Sequence, residues 1–292
     1  MARKKLTFPA LVFPVCCLLL FSACSRSSQQ ANSLQIKGSD TMVNLGQAWA
    51  EEFMKRRPEV SVAVTGGGSG TGIAALLSKT CDIAELSREL KPEELAMARQ
   101  KGLDPRQITV ALDGLAVVVH PANPLSQLTM DQLAAVFSGT VTNWKEIGGA
   151  DLPIVVLSRE VNSGTHVYFK EHVLRGNLKD SRVEFAAKAL MLPSSQAIAD
   201  EVAQNPGAIG YYGMGYISPK EKALAVARDD ASPAVAPTIE NVVSQDYPIS
   251  RPLLMVTREQ PQGLVADFID FVLGPEGQQL VVKIDFVPVK KN

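Results

Sequence analysis

Residues 159–165, Arg-Glu-Val-Asn-Ser-Gly-Thr, join the apolar run 152–157 to the helical pattern 166–174. An apolar run, a small polar turn and a helical pattern in this order predict a β-strand that passes directly into an α-helix. Arg159 supplies a planar fork of donors that matches a tetrahedral oxyanion. A Ser-Gly-Thr helix start adds free backbone N–H groups and two hydroxyls at the positive end of a helix dipole. The stretch therefore predicts an anion site on an α/β fold.

Two upstream turns have the same character. Gly-Ser-Asp-Thr, residues 38–41, follows the strand-like run 34–37, and GGGSGTG, residues 66–72, follows the strand-like run 60–65. A single Ser or Thr in such a turn is more often only a helix N-cap. The glycine-rich turn also lacks the Lys of a nucleotide P-loop and the spacing of a dinucleotide fingerprint. Because open α/β sheets bind ligands at the carboxyl ends of their strands, we expect the three turns to converge on one ligand.

Strand-like and helical patterns alternate along the rest of the chain, which predicts α/β layers with mostly parallel strand pairing. Strands are predicted at 34–37, 60–65, 82–84, 112–120, 154–157 and 209–212, and within 247–258. Helices are predicted after Met42, with Leu45, Trp49 and Phe53 on one face, and at 73–78, 130–137, 166–174, 195–204 and 261–280. We expect a loop at 231–237, and we expect the last helix to pack back on the first lobe.

The amino terminus is predicted to be an export signal. Three basic residues precede the apolar stretch 6–21, which ends in small residues before Cys24. This pattern is typical of a bacterial lipoprotein signal, 1–23, with Cys24 as the acylated first residue of the mature chain. An ordinary signal peptide and an N-terminal membrane helix are the alternatives, although prolines interrupt a short span. Residues 24–33 are then a flexible polar tether.

Composition excludes some classes of protein. The chain has 29 Lys and Arg against 30 Asp and Glu, and removal of 1–23 lowers the basic count to 26. A slightly acidic body provides no basic surface for nucleic acid, so an anion must be bound by local donors. Cys81 is the one cysteine left besides Cys24, which predicts a buried, unreactive thiol and no disulfide within the mature chain. A chain of 292 residues is long enough to form two hydrophobic cores.

Five motifs in order resemble the phosphate-binding proteins of bacterial phosphate ABC transporters. They are residues 38–41, 66–72, 82–84 with 87–89, 159–165, and 205–211 (Asn-Pro-Gly-Ala-Ile-Gly-Tyr). The resemblance runs over nearly all of the mature chain. It implies a two-lobed type II periplasmic-binding-protein fold, with mixed, mostly parallel sheets joined by two crossing hinge segments. Lobe 1 would comprise 34–112 plus 247–292, and lobe 2 would comprise 113–246.

The same resemblance implies a function and a ligand site. The chain would be a monomeric, extracytoplasmic, lipid-anchored protein, without enzyme activity or cofactor, that delivers inorganic phosphate to an ABC transporter permease. The implied phosphate contacts are Ser39, Thr41, Ser69, Gly70, Ser87, Arg159, Ser163, Gly164 and Thr165. Where Ser87 stands, one branch of the family has an aspartate that accepts a proton from hydrogen phosphate. Asp40 is the candidate acceptor here, with Asp82 next.

Other functions remain open at this point. Capture of sulfate, molybdate or tungstate is the closest rival. A secreted phosphate-ester hydrolase would pair Ser39 or Ser163 with one of the three histidines, His120, His166 and His172. The sequence has no G-x-S-x-G elbow and no dense His/Cys/Asp cluster, so it favours neither that enzyme nor a metal site. A lipid-anchored adhesion module explains the export signal but not three oxyanion turns.

Overall fold

The computed structural model describes residues 32–178 and 180–289. The predicted signal, the predicted acylation site Cys24 and most of the predicted tether therefore lie outside the described residues. Among the residues that are described, no helix has both the length and the apolar character needed to cross a bilayer.

Eleven strands are present in the described part of the chain, and several begin or end within one or two residues of the predicted runs. They are β1 Ser33–Gly38, β2 Ser61–Thr65, β3 Ile83–Leu86, β4 Arg106–Val119, β5 Gln127–Thr129, β6 Val155–Arg159, β7 Leu190–Leu192, β8 Ala208–Gly213, β9 Lys222–Ala227, β10 Ser250–Thr257 and β11 Val287–Pro288.

Nine α-helices lie between these strands within 32–178 and 180–289. They are α1 Val43–Arg56, α2 Ser69–Leu77, α3 Pro92–Gln100, α4 Met130–Ser138, α5 Gly164–Phe169, α6 Ser195–Gln204, α7 Ile239–Val243, α8 Gly263–Leu273 and α9 Pro275–Lys283. A 3₁₀ turn at Asp40–Met42 precedes α1, and a π-helical segment, Lys170–Leu174, continues α5.

Strand β4 belongs to two sheets. Up to Gly114 it pairs with β10 in the order β2-β1-β3-β10-β4, and from Leu115 onward it pairs with β8 in the order β4-β8-β6-β7. We call the parts built on these two sheets the first and the second lobe. From Leu115 to Val119 β4 is buried throughout, which explains the continuous apolar sequence there. The exact division of the chain at 112/113 and 246/247 stays a prediction.

Strand pairing differs in part from the expectation of mostly parallel sheets. The outer strands pair parallel, β1 with β2 and β3, and β6 with β7 and β8. The central strands β4 and β10 pair antiparallel with each other and with their other neighbours. The prediction of a two-lobed α/β fold is correct. The antiparallel central strands carry the chain back and forth between the lobes.

The carboxy-terminal helices pack on the first lobe, as predicted. Phe53 of α1 meets Phe268 edge to face, with ring centroids 5.2 Å apart, and Trp49 Nε1 donates to the Gly277 carbonyl at 2.8 Å. The prediction of one helix over 261–280 is wrong, because α8 ends before Gly274 and α9 begins at Pro275. Gly274 is extended, and proline has no N–H with which to continue a helix.

Candidate anion-binding site

Three strand-to-helix turns meet where the two lobes face each other. Ser39 follows β1, Ser69 begins the helix that follows β2, and Ser163 caps the helix that follows β6. The lobes are in direct contact at this point, because Thr41 Oγ1 of the first lobe lies 2.8 Å from Thr165 Oγ1 of the second. The three turns that the sequence singled out therefore lie close together, and their binding of one ligand stays a prediction.

Six hydroxyl side chains of these turns are buried. They are Ser39, Thr41, Ser69, Ser87, Ser163 and Thr165. Only Ser163 acts as an N-cap in the expected way, accepting the His166 N–H at 3.4 Å. Ser39 Oγ has no hydrogen-bond partner among the described residues. A buried hydroxyl without a partner is costly, so this group is poised for an external acceptor.

Ser69 and Ser87 form one wall of the cleft, opposite Gly164. The Ser87 N–H donates to Ser69 Oγ at 3.0 Å, and the two hydroxyl oxygens are 3.4 Å apart. A Cβ atom on Gly164 would lie 2.2 Å from Ser69 Oγ and 2.7 Å from Ser87 Oγ. Only glycine therefore allows the start of α5 to approach these hydroxyls so closely.

Arg159 is buried at the end of β6 with 1% of its surface exposed. Its Nη1 donates to Ser195 Oγ at 3.0 Å and its Nη2 to the Pro193 carbonyl at 2.9 Å. Its Nε has no partner in the described structure. Burial lowers the pKa of Arg159, and the nearby Asp40 carboxylate acts in the opposite direction. A desolvated guanidinium with an unused donor is suited to a charge-assisted bond with an anion.

Asp40 lies at the edge of this cluster and links the lobes. Its Oδ2 is 3.2 Å from Arg159 Nη1 and accepts the Ser195 N–H at 2.8 Å, at the start of α6. Asp82 cannot serve as the next acceptor. It pairs with Arg258 and accepts the Gln35 N–H, and it precedes β3, at the strand end opposite to Ser87.

The Gly70 amide, predicted to contact the ligand, has a protein partner. It donates to the Asn162 carbonyl at 2.9 Å, while Asn162 Nδ2 donates to the Gly67 carbonyl at 2.7 Å. Gly68 has φ +95°, and a Cβ there would lie 2.8 Å from the Asn162 carbonyl oxygen. The glycine-rich turn thus provides close contact between the lobes across the rim of the site.

Sequence reasoning missed two charged residues at the site. Arg251 Nη2 donates to Thr165 Oγ1 at 3.0 Å, and Arg251 also holds the buried carboxylate of Asp113. Burial raises the pKa of Asp113, and Arg251 opposes that change. Each of these charged residues lies within a strand-like run that is otherwise largely apolar. Asp113 lies in the run 112–120, and Arg251 lies in the run 247–258. That contrast is the signal that could have identified them.

The histidines form no catalytic pair with the cleft serines. His166 Nδ1 lies 3.3 Å from Ser158 Oγ, and burial lowers its pKa to about 4. His120 accepts the Ala122 N–H, and His172 bonds to Asn177 and the Pro248 carbonyl. The Ser–His pairing that the hydrolase alternative would use is not formed in the described residues.

Two further expectations concern metals and thiols. The described residues contain no group of three or more His, Cys, Asp or Glu arranged to hold a metal ion. Cys81 is a buried free thiol, and burial raises its pKa to about 11. Because the thiolate is the reactive form, Cys81 is unreactive at neutral pH, as the sequence predicted.

Comparison with known proteins gives consistent matches over most of the chain. Residues 25–276 match the model of a family described as the PBP superfamily domain. The phosphate-binding protein PstS of Pseudomonas aeruginosa is 34% identical over 281 residues, covering 90% of this chain and 85% of that protein. A Clostridium perfringens structure, described as a phosphate ABC transporter substrate-binding protein with bound phosphate, has TM-score 0.78 and 36% identity, covering 89% of this chain and 100% of that one. An ABC-type phosphate transport receptor of Vibrio cholerae has TM-score 0.70 and 32% identity, covering 88% and 100%.

Proposed function

The chain belongs to the PBP superfamily, with the two-lobed type II periplasmic-binding-protein fold, and we propose that it binds inorganic phosphate between its lobes and delivers it to an ABC transporter permease. Its relatives are named as phosphate-binding proteins and as a phosphate transport receptor. The protein works outside the cytoplasm, as PstS-type proteins do.

One observation carries the choice of an oxyanion. Buried hydroxyls from both lobes converge beside the buried guanidinium of Arg159, and two donors of this cluster, Ser39 Oγ and Arg159 Nε, have no partner among the described residues. A tetrahedral oxyanion offers four acceptor oxygens in the arrangement that such a cluster can satisfy. Hydrogen bonds from a guanidinium to an anionic oxygen are among the strongest in proteins.

Each residue that the sequence predicts to contact phosphate has a role in this proposal. Phosphate oxygens would accept hydrogen bonds from the hydroxyls of Ser39, Ser69, Ser87 and Ser163, from one hydroxyl of the Thr41–Thr165 pair, from the Gly164 amide and from Arg159. The Gly70 amide would join them only by giving up its bond to Asn162. Asp40 is the proposed acceptor of the proton of hydrogen phosphate, since it is the carboxylate in contact with Arg159.

The proposal extends to the membrane. Cys24 would carry the lipid anchor that keeps a monomeric receptor beside the permease, and residues 24–33 would be its flexible tether. An anchored receptor remains at the membrane surface without a protein partner to hold it.

A phosphate-release assay separates a binder from a hydrolase. Incubating the purified protein with a chromogenic phosphomonoester should release no phosphate above the buffer control, while equilibrium dialysis against labelled inorganic phosphate should show saturable binding at one site per chain. Sustained turnover of the ester would contradict the proposal. Saturable binding of molybdate or sulfate in preference to phosphate would move the protein to the rival oxyanion class.

A further inference from the structure

A buried ion pair lies at the point where strands β4 and β10 connect the lobes. Arg251 and Asp113 are direct partners in the register of these strands, and both side chains are fully buried. Arg251 Nε and Nη2 donate to Asp113 Oδ2 at 3.0 and 2.8 Å, and Asp113 Oδ1 accepts the Met214 N–H at 3.0 Å. Because desolvation offsets the attraction in a buried ion pair, stability alone is a weak reason for it.

The remaining donors of Arg251 reach both lobes. Nη1 donates to the Ser87 carbonyl at 3.0 Å, in the first lobe. Nη2 donates to Thr165 Oγ1 of the second lobe at 3.0 Å and lies 3.4 Å from Thr41 Oγ1 of the first. The guanidinium thus contacts the two hydroxyls that meet across the cleft, and it makes all of these contacts only when the lobes are together.

These contacts fix the direction of the hydroxyl hydrogen bonds. A guanidinium can only donate, so the Thr41 and Thr165 oxygens are acceptors toward Nη2. One N–H of Nη2 is used on Asp113, and the other is directed to Thr165 at 3.0 Å, with Thr41 farther away at 3.4 Å. Their oxygens are 2.8 Å apart, so one hydroxyl donates to the other. One proton of the pair then remains without an acceptor in this group. Hydrogen bonds polarise their neighbours, so the guanidinium also strengthens that remaining donor.

We propose that Arg251, held by Asp113, is a positioning residue that makes the Thr41–Thr165 hydroxyl pair a hydrogen-bond donor toward an unprotonated oxygen of the bound phosphate. This inference rests on the proposed function. The ion pair has no net charge, so it acts by orienting and polarising the hydroxyls and not by adding attraction for every anion. Arg251 makes all of these contacts only when the lobes are closed. The affinity for phosphate therefore depends on closure of the lobes.

A double-mutant cycle tests this role. The variant Arg251→Gln/Asp113→Asn removes both charges together, so that neither is left buried alone. It should raise the Kd for inorganic phosphate about tenfold, and Thr165→Val should raise it by about the same factor, as expected for loss of a buried hydrogen bond. If Arg251 acts through the hydroxyls, combining all three changes should raise the Kd by clearly less than the product of the separate factors.

A matched control lies just beyond the ends of β10 and β3, where Arg258 pairs with Asp82. Arg258→Gln/Asp82→Asn removes an ion pair, 3.3 Å long, that has no contact with the hydroxyl cluster. It should leave the phosphate Kd within about twofold of the parent value, and its effect should multiply independently with that of Thr165→Val. A role in stability alone would give the site variant this same independent behaviour.

The possible results separate the inference from the function on which it rests. An unchanged Kd in the folded neutral-pair variant, or factors that simply multiply, would overturn the inference while phosphate binding by the parent still stands. If the neutral-pair variant does not fold, Arg251→Lys keeps the charge but loses the planar fork. Weaker binding by that folded variant, non-multiplicative with Thr165→Val, supports the inference, and parent-like binding overturns it. A parent protein that binds no phosphate would overturn the proposed function and the inference with it.

Discussion

Asp40 is a candidate for two different roles at the site. Its Oδ2 accepts the Ser195 N–H at the start of α6 and lies 3.2 Å from Arg159 Nη1, so it both joins the lobes and neutralises the guanidinium. As a free acceptor it would also take the proton that hydrogen phosphate carries and that sulfate lacks at neutral pH. The two roles predict different selectivity.

Asp40→Asn distinguishes them, because it keeps the size of the side chain and removes its charge. If Asp40 accepts the proton, phosphate binding should weaken by about 1 to 3 kcal/mol while sulfate binding strengthens, which narrows the ratio of the two Kd values. Competition binding of both anions measures this ratio. Asp82→Asn is the control, since Asp82 lies at the opposite end of its strand. An equal loss for both anions would leave Asp40 as a contact between lobes only.

Glu85 is a second buried carboxyl, with a different consequence. It is fully buried in β3, neither oxygen has a partner among the described residues, and burial raises its pKa well above the ordinary range. A Cβ on Gly46 would lie 2.5 Å from Glu85 Oε1, so α1 leaves room for this side chain. Burial therefore favours the neutral form of Glu85 in the folded protein.

Glu85→Gln should change how stability depends on pH. Above the pKa of about 4.5 that Glu has in the unfolded chain, the unfolded state releases the proton and the folded state keeps it. The free energy of unfolding then falls as pH rises, by up to about 1.4 kcal/mol per pH unit, until the raised folded pKa is reached. Gln does not titrate, so urea unfolding should show a stabilising effect of the variant that is larger at pH 8 than at pH 5. A difference independent of pH would contradict this account.

At the scale of elements, the sequence predicts those segments whose own pattern decides their structure. Helix α6 occupies the predicted range 195–204, because an apolar face and a Ser194 cap are both local. Helix α3 was not predicted, since Ala98 is its one fully buried residue and no apolar stripe marks it. The Arg251–Asp113 pair joins residues 138 positions apart, and no local pattern reports such a contact.

Gly164→Ala tests the close approach of α5 to the opposite wall. Alanine favours a helix by about 1 kcal/mol over glycine, so the fold should persist. The added methyl group would overlap Ser69 Oγ and Ser87 Oγ, and the lobes could not close fully. We expect phosphate binding to weaken at least about tenfold, with an undiminished melting temperature in the absence of ligand. Parent-like affinity would show that Ser69 and Ser87 can move aside at little cost and would contradict this prediction.

At the scale of the whole molecule, some of the proposed ligand contacts also join the two lobes. Thr41 meets Thr165, and the glycine-rich turn meets Asn162, across the two lobes. The sequence indicated which turns converge but not that they also hold the lobes together. That property depends on β4 and β10 returning the chain between the sheets, which only the three-dimensional arrangement reveals.

Cys24 should determine where this molecule resides. Two or more acyl chains on one residue give stable membrane anchoring, whereas a single chain does not. Intact-mass spectra of the mature protein should show a diacylated or triacylated amino terminus, and Cys24→Ala should move the protein from the detergent phase to the aqueous phase while it still binds phosphate. An unmodified mature amino terminus in the parent would contradict this prediction.

Calorimetric titration of the purified protein with phosphate, sulfate and molybdate tests the central claim most directly. The account predicts one phosphate per chain with clear preference over both other anions, and a loss of about 2 to 5 kcal/mol of binding free energy in Arg159→Ala that Arg159→Lys does not restore. Arg106→Ala, which removes an exposed guanidinium of the first lobe, should bind as the parent does. Parent-like phosphate binding by Arg159→Ala, or tighter binding of sulfate or molybdate by the parent, would contradict it.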